Sequence, residues 1–227
     1  MELIEYADTD MLMISLAGAL SRDLRAALQR RARAVLCVPG GTSPGPVFDM
    51  LAAVDLDWDR VDVVLSDERW VPEDHPRSNA GLVRRRLLQG HAAAARMIPL
   101  YRPPAGPDTS PDAMLDEIAR DLTAVLPIDV ALLGMGTDLH TASLFPGAAR
   151  LDAALADDAP PVMAFHPLDQ PEPRVSLTAP VLRGAFALHL LITGAQKRAA
   201  LDRAEDADTM DAPVKAILDQ ATVHWAA

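Results

Sequence analysis

The chain has 227 residues, half of them hydrophobic, with 21 Lys and Arg against 32 Asp and Glu and a formal net charge of −11. That acidity argues against nucleic acid as the main partner, because binding a phosphate backbone needs a basic face. No apolar run approaches the ~20 residues of a bilayer span, so no membrane partner is expected, and an anionic ligand would need a local cluster of cations and backbone N–H groups.

Leu12, Leu16, Leu20, Leu24 and Leu28 recur every fourth residue, which predicts an amphipathic helix of about five turns or more. The basic cluster Arg30, Arg31 and Arg33 suits its C-terminal end, where cations complement the dipole. Ala34–Val38 reads as a short apolar strand, and Cys37 within it as inert core. The strand runs directly into Gly40-Gly41-Thr42-Ser43-Pro44, followed by a helix over 44–51. Strand, glycine turn, hydroxyls and helix start together offer backbone N–H groups to a phosphate. A capped glycine turn explains the same residues equally well. The loop lacks the Gly-Lys-Ser or Gly-Lys-Thr of a nucleoside triphosphate site.

Val61–Leu65 predicts a further buried strand, and Ser66-Asp67-Glu68-Arg69 follows at its end. The trio Glu73, Asp74 and His75 is expected to be an exposed loop rather than a metal site, since adjacent residues rarely converge on one ion. A helix carries Leu82, Val83, Leu87 and Leu88, the Pro- and Gly-rich stretch 96–111 reads as a surface connection, and Met114, Ile118, Leu122 and Leu126 mark another helix. The apolar run 128–133 predicts a strand that breaks into Gly134-Met135-Gly136, with Asp138 and His140 just beyond. In an open α/β sheet this is where ligands sit, and histidine is the side chain that gives and takes protons near neutral pH. The N–H groups of Gly134 and Gly136 are candidate oxyanion donors. Strands are expected over 160–165, 186–193 and 222–225, with Arg174-Val175-Ser176-Leu177-Thr178 between the first two and a helix over 214–218. Lys197 and Arg198 fall in the first turns of the helix after Gly194, where cations oppose the dipole and a bound anion would account for them.

The alternation of strands and helices predicts a mostly parallel sheet with helices on both faces, in one domain over 1–227. The strand ends together describe a small phosphorylated substrate undergoing proton transfer. Ser143 lacks a Gly-x-Ser-x-Gly elbow, and Gly134-x-Gly136-x-x-Leu139 lacks the last glycine of a dinucleotide fingerprint, so no cofactor is expected. His166 and His189 sit in apolar runs as structural histidines. The single cysteine excludes an internal disulfide framework and nothing resembles an export signal, so a cytoplasmic location is expected.

The blocks Gly40-Gly41-Thr42-Ser43-Pro44, Ser66-Asp67-Glu68-Arg69-Trp70-Val71-Pro72 with Ser78-Asn79, Gly134-Met135-Gly136-Thr137-Asp138-Leu139-His140-Thr141-Ala142-Ser143-Leu144-Phe145-Pro146, Arg174-Val175-Ser176-Leu177-Thr178, and Gly194 with Lys197 resemble the 6-phosphogluconolactonase family across almost the whole chain. The related glucosamine-6-phosphate deaminases share a Gly-x-Gly-x-Asp-Gly-His core but continue differently after the histidine. The resemblance implies a Rossmann-like α/β fold and hydrolysis of a sugar-phosphate lactone in the oxidative pentose phosphate pathway without metal or cofactor. His140 would activate water and Asp138 would orient it. Thr42, Arg69 and Lys197, with the Gly40 and Gly41 amides, are the phosphate candidates, followed by Arg77 and Arg174. A monomer or weak homodimer is expected. Two other readings are a sugar-phosphate isomerase or deaminase, with Asp67 moving the substrate proton, and a non-catalytic sensor. Leu139 stands where the family has glycine, and if that position needs φ > 0 the leucine carries strain of roughly 1 kcal/mol or more.

Overall fold

β2 (Ala34–Val38) and β3 (Val61–Leu65) are five-residue apolar runs buried along their whole length, the pattern of strands covered on both faces. With β1 (Glu2–Glu5), β5 (Arg96–Ile98), β6 (Val130–Gly134), β9 (Ala187–Thr193) and β10 (Ala221–Ala226) they form a seven-stranded sheet of order β1-β10-β9-β6-β2-β3-β5. Every pairing within it is parallel, so the expected α/β architecture is present. The computed structural model describes residues 1–103, 110–166 and 171–227.

The helices that flank the sheet are α1 (Thr9–Arg30), α2 (Gly45–Ala52), α3 (Asn79–Arg86), α4 (Leu115–Thr123), α5 (Leu151–Leu155), α6 (Ala179–Arg183), α7 (Ala195–Asp206) and α8 (Lys215–Leu218). α1 starts where the Asp8 carboxylate accepts the Met11 N–H at 2.7 Å, satisfying one donor that a helix leaves open at its start. Its leucine stripe is buried: Leu12, Leu16, Leu20 and Leu24 at 0 % exposure and Leu28 at 7 %. Each such side chain contributes about 2 kcal/mol of hydrophobic stabilisation.

Two differences from the sequence expectation concern edges. Arg96–Ile98, assigned to a surface connection, is a sheet strand paired with β3, and Arg96 is tied to buried Asp62 at 2.7 Å. β1 at the other edge was not anticipated either. A third concerns a second, antiparallel sheet of order β4-β8-β7, built from β4 (Asp67–Arg69), β8 (Arg174–Leu177) and β7 (Val162–Phe165). Residues 104–109 of the 96–111 stretch lie outside the described residues.

The order of the large sheet fixes where a ligand binds. From β2 the chain proceeds outward through β3 to β5, and from β6 it proceeds the other way through β9 to β10. The direction of winding therefore reverses between β2 and β6, and the crevice beyond their carboxyl ends is the natural ligand position in such sheets. β4 continues from β3 across that crevice, and Leu177 N–H bonds to the Ser66 carbonyl at 2.9 Å. The small sheet thus forms one wall.

Candidate active site

A cleft of about 220 Å³ opens at the switch point. Its lining comes from four strand ends: the glycine loop after β2, Ser66 to Arg69 after β3, Gly134 to His140 after β6, and Lys197 after β9. Asn79, Arg174 and Ala142 also line it, with Leu133 and Leu191 as apolar surface. Of the residues singled out from sequence, the fold brings together Gly40, Gly41, Asp67, Arg69, Gly134, Gly136, His140, Arg174 and Lys197.

His140 Nδ1 lies 2.5 Å from Asp138 Oδ1. With Asp138 ionised, Nδ1 carries the proton, which leaves the Nε2 lone pair for other chemistry. The hydrogen bond from His140 holds the Asp138 carboxyl below its ordinary pKa, against an opposing effect of burial. Phe145 packs on the imidazole at 4.5 Å between ring centres, and the Arg174 guanidinium lies over the Phe145 ring at 5.4 Å from its centroid. The histidine is therefore held by a carboxylate at one nitrogen and an aromatic ring at its face.

Gly136 is corrected in role. Its N–H donates to the His140 carbonyl at 2.9 Å and is not free to hold an oxyanion. The need for glycine lies elsewhere: a Cβ at this position would stand 2.2 Å from both Asp138 Oδ1 and His140 Nδ1. The pair rests directly on the Gly136 backbone, and any side chain would displace it.

The positive charge of the cleft comes from three cations. Arg174 lies opposite Arg69 across the β4–β8 pairing and 3.6 Å from Asp67. Arg69 Nη1 bonds to Asn79 Oδ1 at 2.5 Å and the Arg77 carbonyl at 2.9 Å, while its Nε is buried with no partner among the described residues. Lys197 has no hydrogen-bond or ion-pair partner among the described residues, and burial pushes its ammonium pKa down. A half-buried cation without a partner gives up part of its hydration, and an anionic ligand offsets that cost. By contrast Arg198 is paired with Asp202 and Glu5.

Two phosphate candidates fall outside. Thr42 is exposed and does not line the cleft. Arg77 does not line it either, because its Nε is paired with Glu172 at 2.9 Å. Ser143 is wholly buried and its hydroxyl donates to Asp67 Oδ2 at 2.6 Å, so it is no nucleophile. Cys37 is buried and its thiol pKa is pushed up by burial. His166 bonds to Asp112, and His189 to Asp23 and His224. Among the described residues no group of three or more His, Cys, Asp and Glu side chains converges on a metal position. Ser66 and Asn79 also line the cleft, and the sequence reading assigns neither a role, although both stand in the family blocks.

A histidine–carboxylate pair beside three cations, at the switch point of a parallel α/β sheet, is the architecture of an α/β enzyme. The chain belongs to the glucosamine-6-phosphate isomerases/6-phosphogluconolactonase family, whose model matches residues 7–225. It is 42% identical over 227 residues to a 6-phosphogluconolactonase of Mesorhizobium japonicum, covering 97% of this chain and 93% of that one. It is 44% identical over 217 residues to one of Pseudomonas aeruginosa, covering 92% and 88%. A crystal structure of a 6-phosphogluconolactonase from Shewanella baltica OS155 superposes with a TM-score of 0.93 at 32% identity, covering 100% of this chain and 97% of that one. Among the described residues no helix is long and apolar enough to cross a membrane.

Proposed function

We propose that this protein hydrolyses 6-phospho-D-glucono-1,5-lactone to 6-phospho-D-gluconate, the lactone-opening step of the oxidative pentose phosphate pathway. The observation that carries the reading is the His140–Asp138 pair at 2.5 Å, set beside a cleft that also holds Arg69, Arg174 and Lys197, the last without a partner among the described residues. The lactone is an activated ester, so water needs a base. His140 Nε2 takes a proton as water adds to C1, and Asp138 stabilises the imidazolium through Nδ1–H. The tetrahedral intermediate then collapses: the C1–ring oxygen bond breaks and the imidazolium returns its proton to the leaving oxygen. With the Gly136 amide committed to His140, oxyanion stabilisation falls to the positive charge of the cleft. Arg69 and Lys197 are the phosphate ligands, with Arg174 beside them, and Gly40 and Gly41 supply the surrounding backbone. No metal enters the mechanism, and chelator-treated protein is expected to keep its activity. A cytoplasmic site of action suits this substrate and a lone buried cysteine.

The deaminase reading requires a mobile base. Asp67 is a poor one, since Ser66 Oγ and Ser143 Oγ donate to it at 3.0 and 2.6 Å and Arg174 lies beside it. The test is acid release from the lactone by purified protein, corrected for spontaneous opening, alongside fructose 6-phosphate release from glucosamine 6-phosphate. Lactone opening well above background, lost by 10²–10⁴-fold or about that in His140→Ala, supports the proposal. A His140→Ala variant with near-normal kcat overturns the mechanism.

A further inference from the structure

Arg69 cannot place itself. It leaves the three-residue strand β4 beside the cleft, and a long arginine side chain loses much rotamer freedom when fixed. The structure assigns the fixing to Asn79: we propose that Asn79 is a positioning residue that holds the Arg69 guanidinium ready for the substrate phosphate. This inference rests on the lactonase reading above and adds to it a residue that makes no chemical step.

Asn79 is 2% exposed and joins three segments far apart in sequence. Its Oδ1 accepts Arg69 Nη1 at 2.5 Å. Its Nδ2 donates to the Asp67 carbonyl at 2.8 Å, which fixes the amide orientation, because the oxygen must face the guanidinium and the nitrogen the carbonyl. Its third contact is with the glycine loop: a Cβ on Gly40 would stand 1.9 Å from Asn79 Oδ1, so the amide lies directly against the Gly40 backbone. One side chain therefore sets the spacing between the phosphate loop and the arginine.

Asn79 is itself held. Glu68, 1% exposed, accepts the N–H groups of Arg69, Asn79 and Ala80 at 2.7, 2.8 and 2.7 Å and the Ser78 hydroxyl at 3.1 Å. This buried carboxylate sits on the open donors at the start of α3, while Ser78 caps Gly81 at 3.1 Å. The first residue of α3 is thereby fixed relative to β4, and its amide can act as a rigid arm. Arg69 Nη1 is anchored by two oxygens and Nε is buried, so the fixed guanidinium is preorganised to meet an anion through Nη2.

The test compares the phosphorylated lactone with unphosphorylated gluconolactone. In the wild type the ratio of kcat/KM on the two substrates measures the phosphate site itself, and no preference would overturn the site on which the inference rests. Asn79→Ala is expected to raise KM for the phosphorylated lactone by about tenfold, the worth of a hydrogen bond to a charged group, with kcat little changed and gluconolactone opening close to wild type. Asn79→Leu, nearly isosteric, keeps the packing against Gly40 and is expected to behave the same way. In an Arg69→Ala background, adding Asn79→Ala is expected to cost no further phosphate preference, because the two residues act as one unit. Equal losses on both substrates, or losses that simply add in the double variant, would overturn the inference. So would the failure of both Asn79 variants to fold, which would assign the residue to the scaffold alone.

Discussion

Leu139 lies at φ 71°, in the left-handed region that an L side chain reaches at a cost of about 1–2 kcal/mol. The family pattern made this position suspect, and the backbone is of the kind that favours glycine. Yet the side chain is 8% exposed and belongs to the main hydrophobic cluster, and its burial contributes about 2 kcal/mol the other way. Leu139→Gly removes strain and burial together, whereas Leu139→Ala removes most of the burial and keeps the strain. The expected order of melting temperature is therefore wild type, then Leu139→Gly, then Leu139→Ala, the reverse of the usual Ala-over-Gly order in regular structure. Alanine melting at or above glycine would mean that the turn relaxes and the strain is not real. Activity should survive in Leu139→Gly, because residue 139 enters the hydrogen bonds of the turn through its backbone alone: Leu139 N–H to Gly136 O and Val214 N–H to Leu139 O, at 3.1 and 3.0 Å, beside Gly136 N–H to His140 O at 2.9 Å.

At the scale of elements, α7 carries a functional burden. Lys197 lies in its first turn, where the dipole disfavours a cation, and burial without a partner among the described residues adds to the cost. A residue that weakens its own helix is one the apo fold would be better without. Lys197→Met is expected to raise the melting temperature by about 2–4 °C, equivalent to roughly 1 kcal/mol in a domain of this size, while weakening the phosphorylated lactone much more than gluconolactone. A thermal melt of the ligand-free protein settles it: a lower melting temperature would show that the ammonium stabilises the fold. Such elements also show what a sequence can reveal. β2 and β3 were legible to the residue because a continuous apolar pentad buried on both faces has no other good use. β1 and β5 were not, being edge strands of four and three residues with exposed positions and no periodicity to detect. The β4-β8-β7 sheet escaped for another reason. Asp67–Arg69 is wholly polar, and it becomes a strand only because β8, over a hundred positions later, lies beside it. The site followed the same rule. His140 and the glycine loops are local signals at strand ends, but the hub at Asn79 exists only where Gly40, Asp67 and Arg69 meet, and the commitment of the Gly136 amide depends on a turn closing back on itself.

Over the whole molecule, a chain of net charge −11 presents Arg69, Arg174 and Lys197 at a single cleft. The acidic remainder repels an anion only within a screening length of about 8 Å at physiological salt, so recognition is decided by the cleft. Outside the cleft lies a second polar group, two buried histidines with a half-buried residue at each end, that has no part in that chemistry. Asp23 Oδ2 lies 2.9 Å from His189 Nε2, His189 Nδ1 lies 3.0 Å from His224 Nε2, and His224 Nδ1 lies 2.8 Å from the Tyr6 hydroxyl. With Asp23 ionised and both imidazoles neutral, one set of tautomers satisfies every atom: His189 donates to Asp23, His224 to His189, and Tyr6 to His224. The chain joins α1, β9, β10 and the residue after β1, which are remote in sequence. Burial, with the neighbouring His189, pushes the His224 pKa down to about 4, and burial also lowers that of His189 against the pull of Asp23. Arg22 disfavours the His189 charge as well, while Tyr6 and Glu2 complete the titratable surroundings. In the unfolded chain a histidine takes its proton near pH 6.5, so between pH 6.5 and about 4 the unfolded state binds more protons than the folded one. Stability from this source is complete above pH 6.5 and is lost as the pH falls through that window. The carboxylates held low by their partners, Asp62 and Asp112 among them, withdraw their contribution only at more acid pH, so the two effects separate. The melting temperature is accordingly expected to fall between pH 6.5 and 4, and His224→Gln, which cannot titrate there, is expected to flatten that fall while leaving lactone opening intact at neutral pH. A wild-type melting temperature that stays level to pH 4, or a His224→Gln profile as steep as the wild type's, would show that the buried histidine chain does not govern the acid limit of the fold.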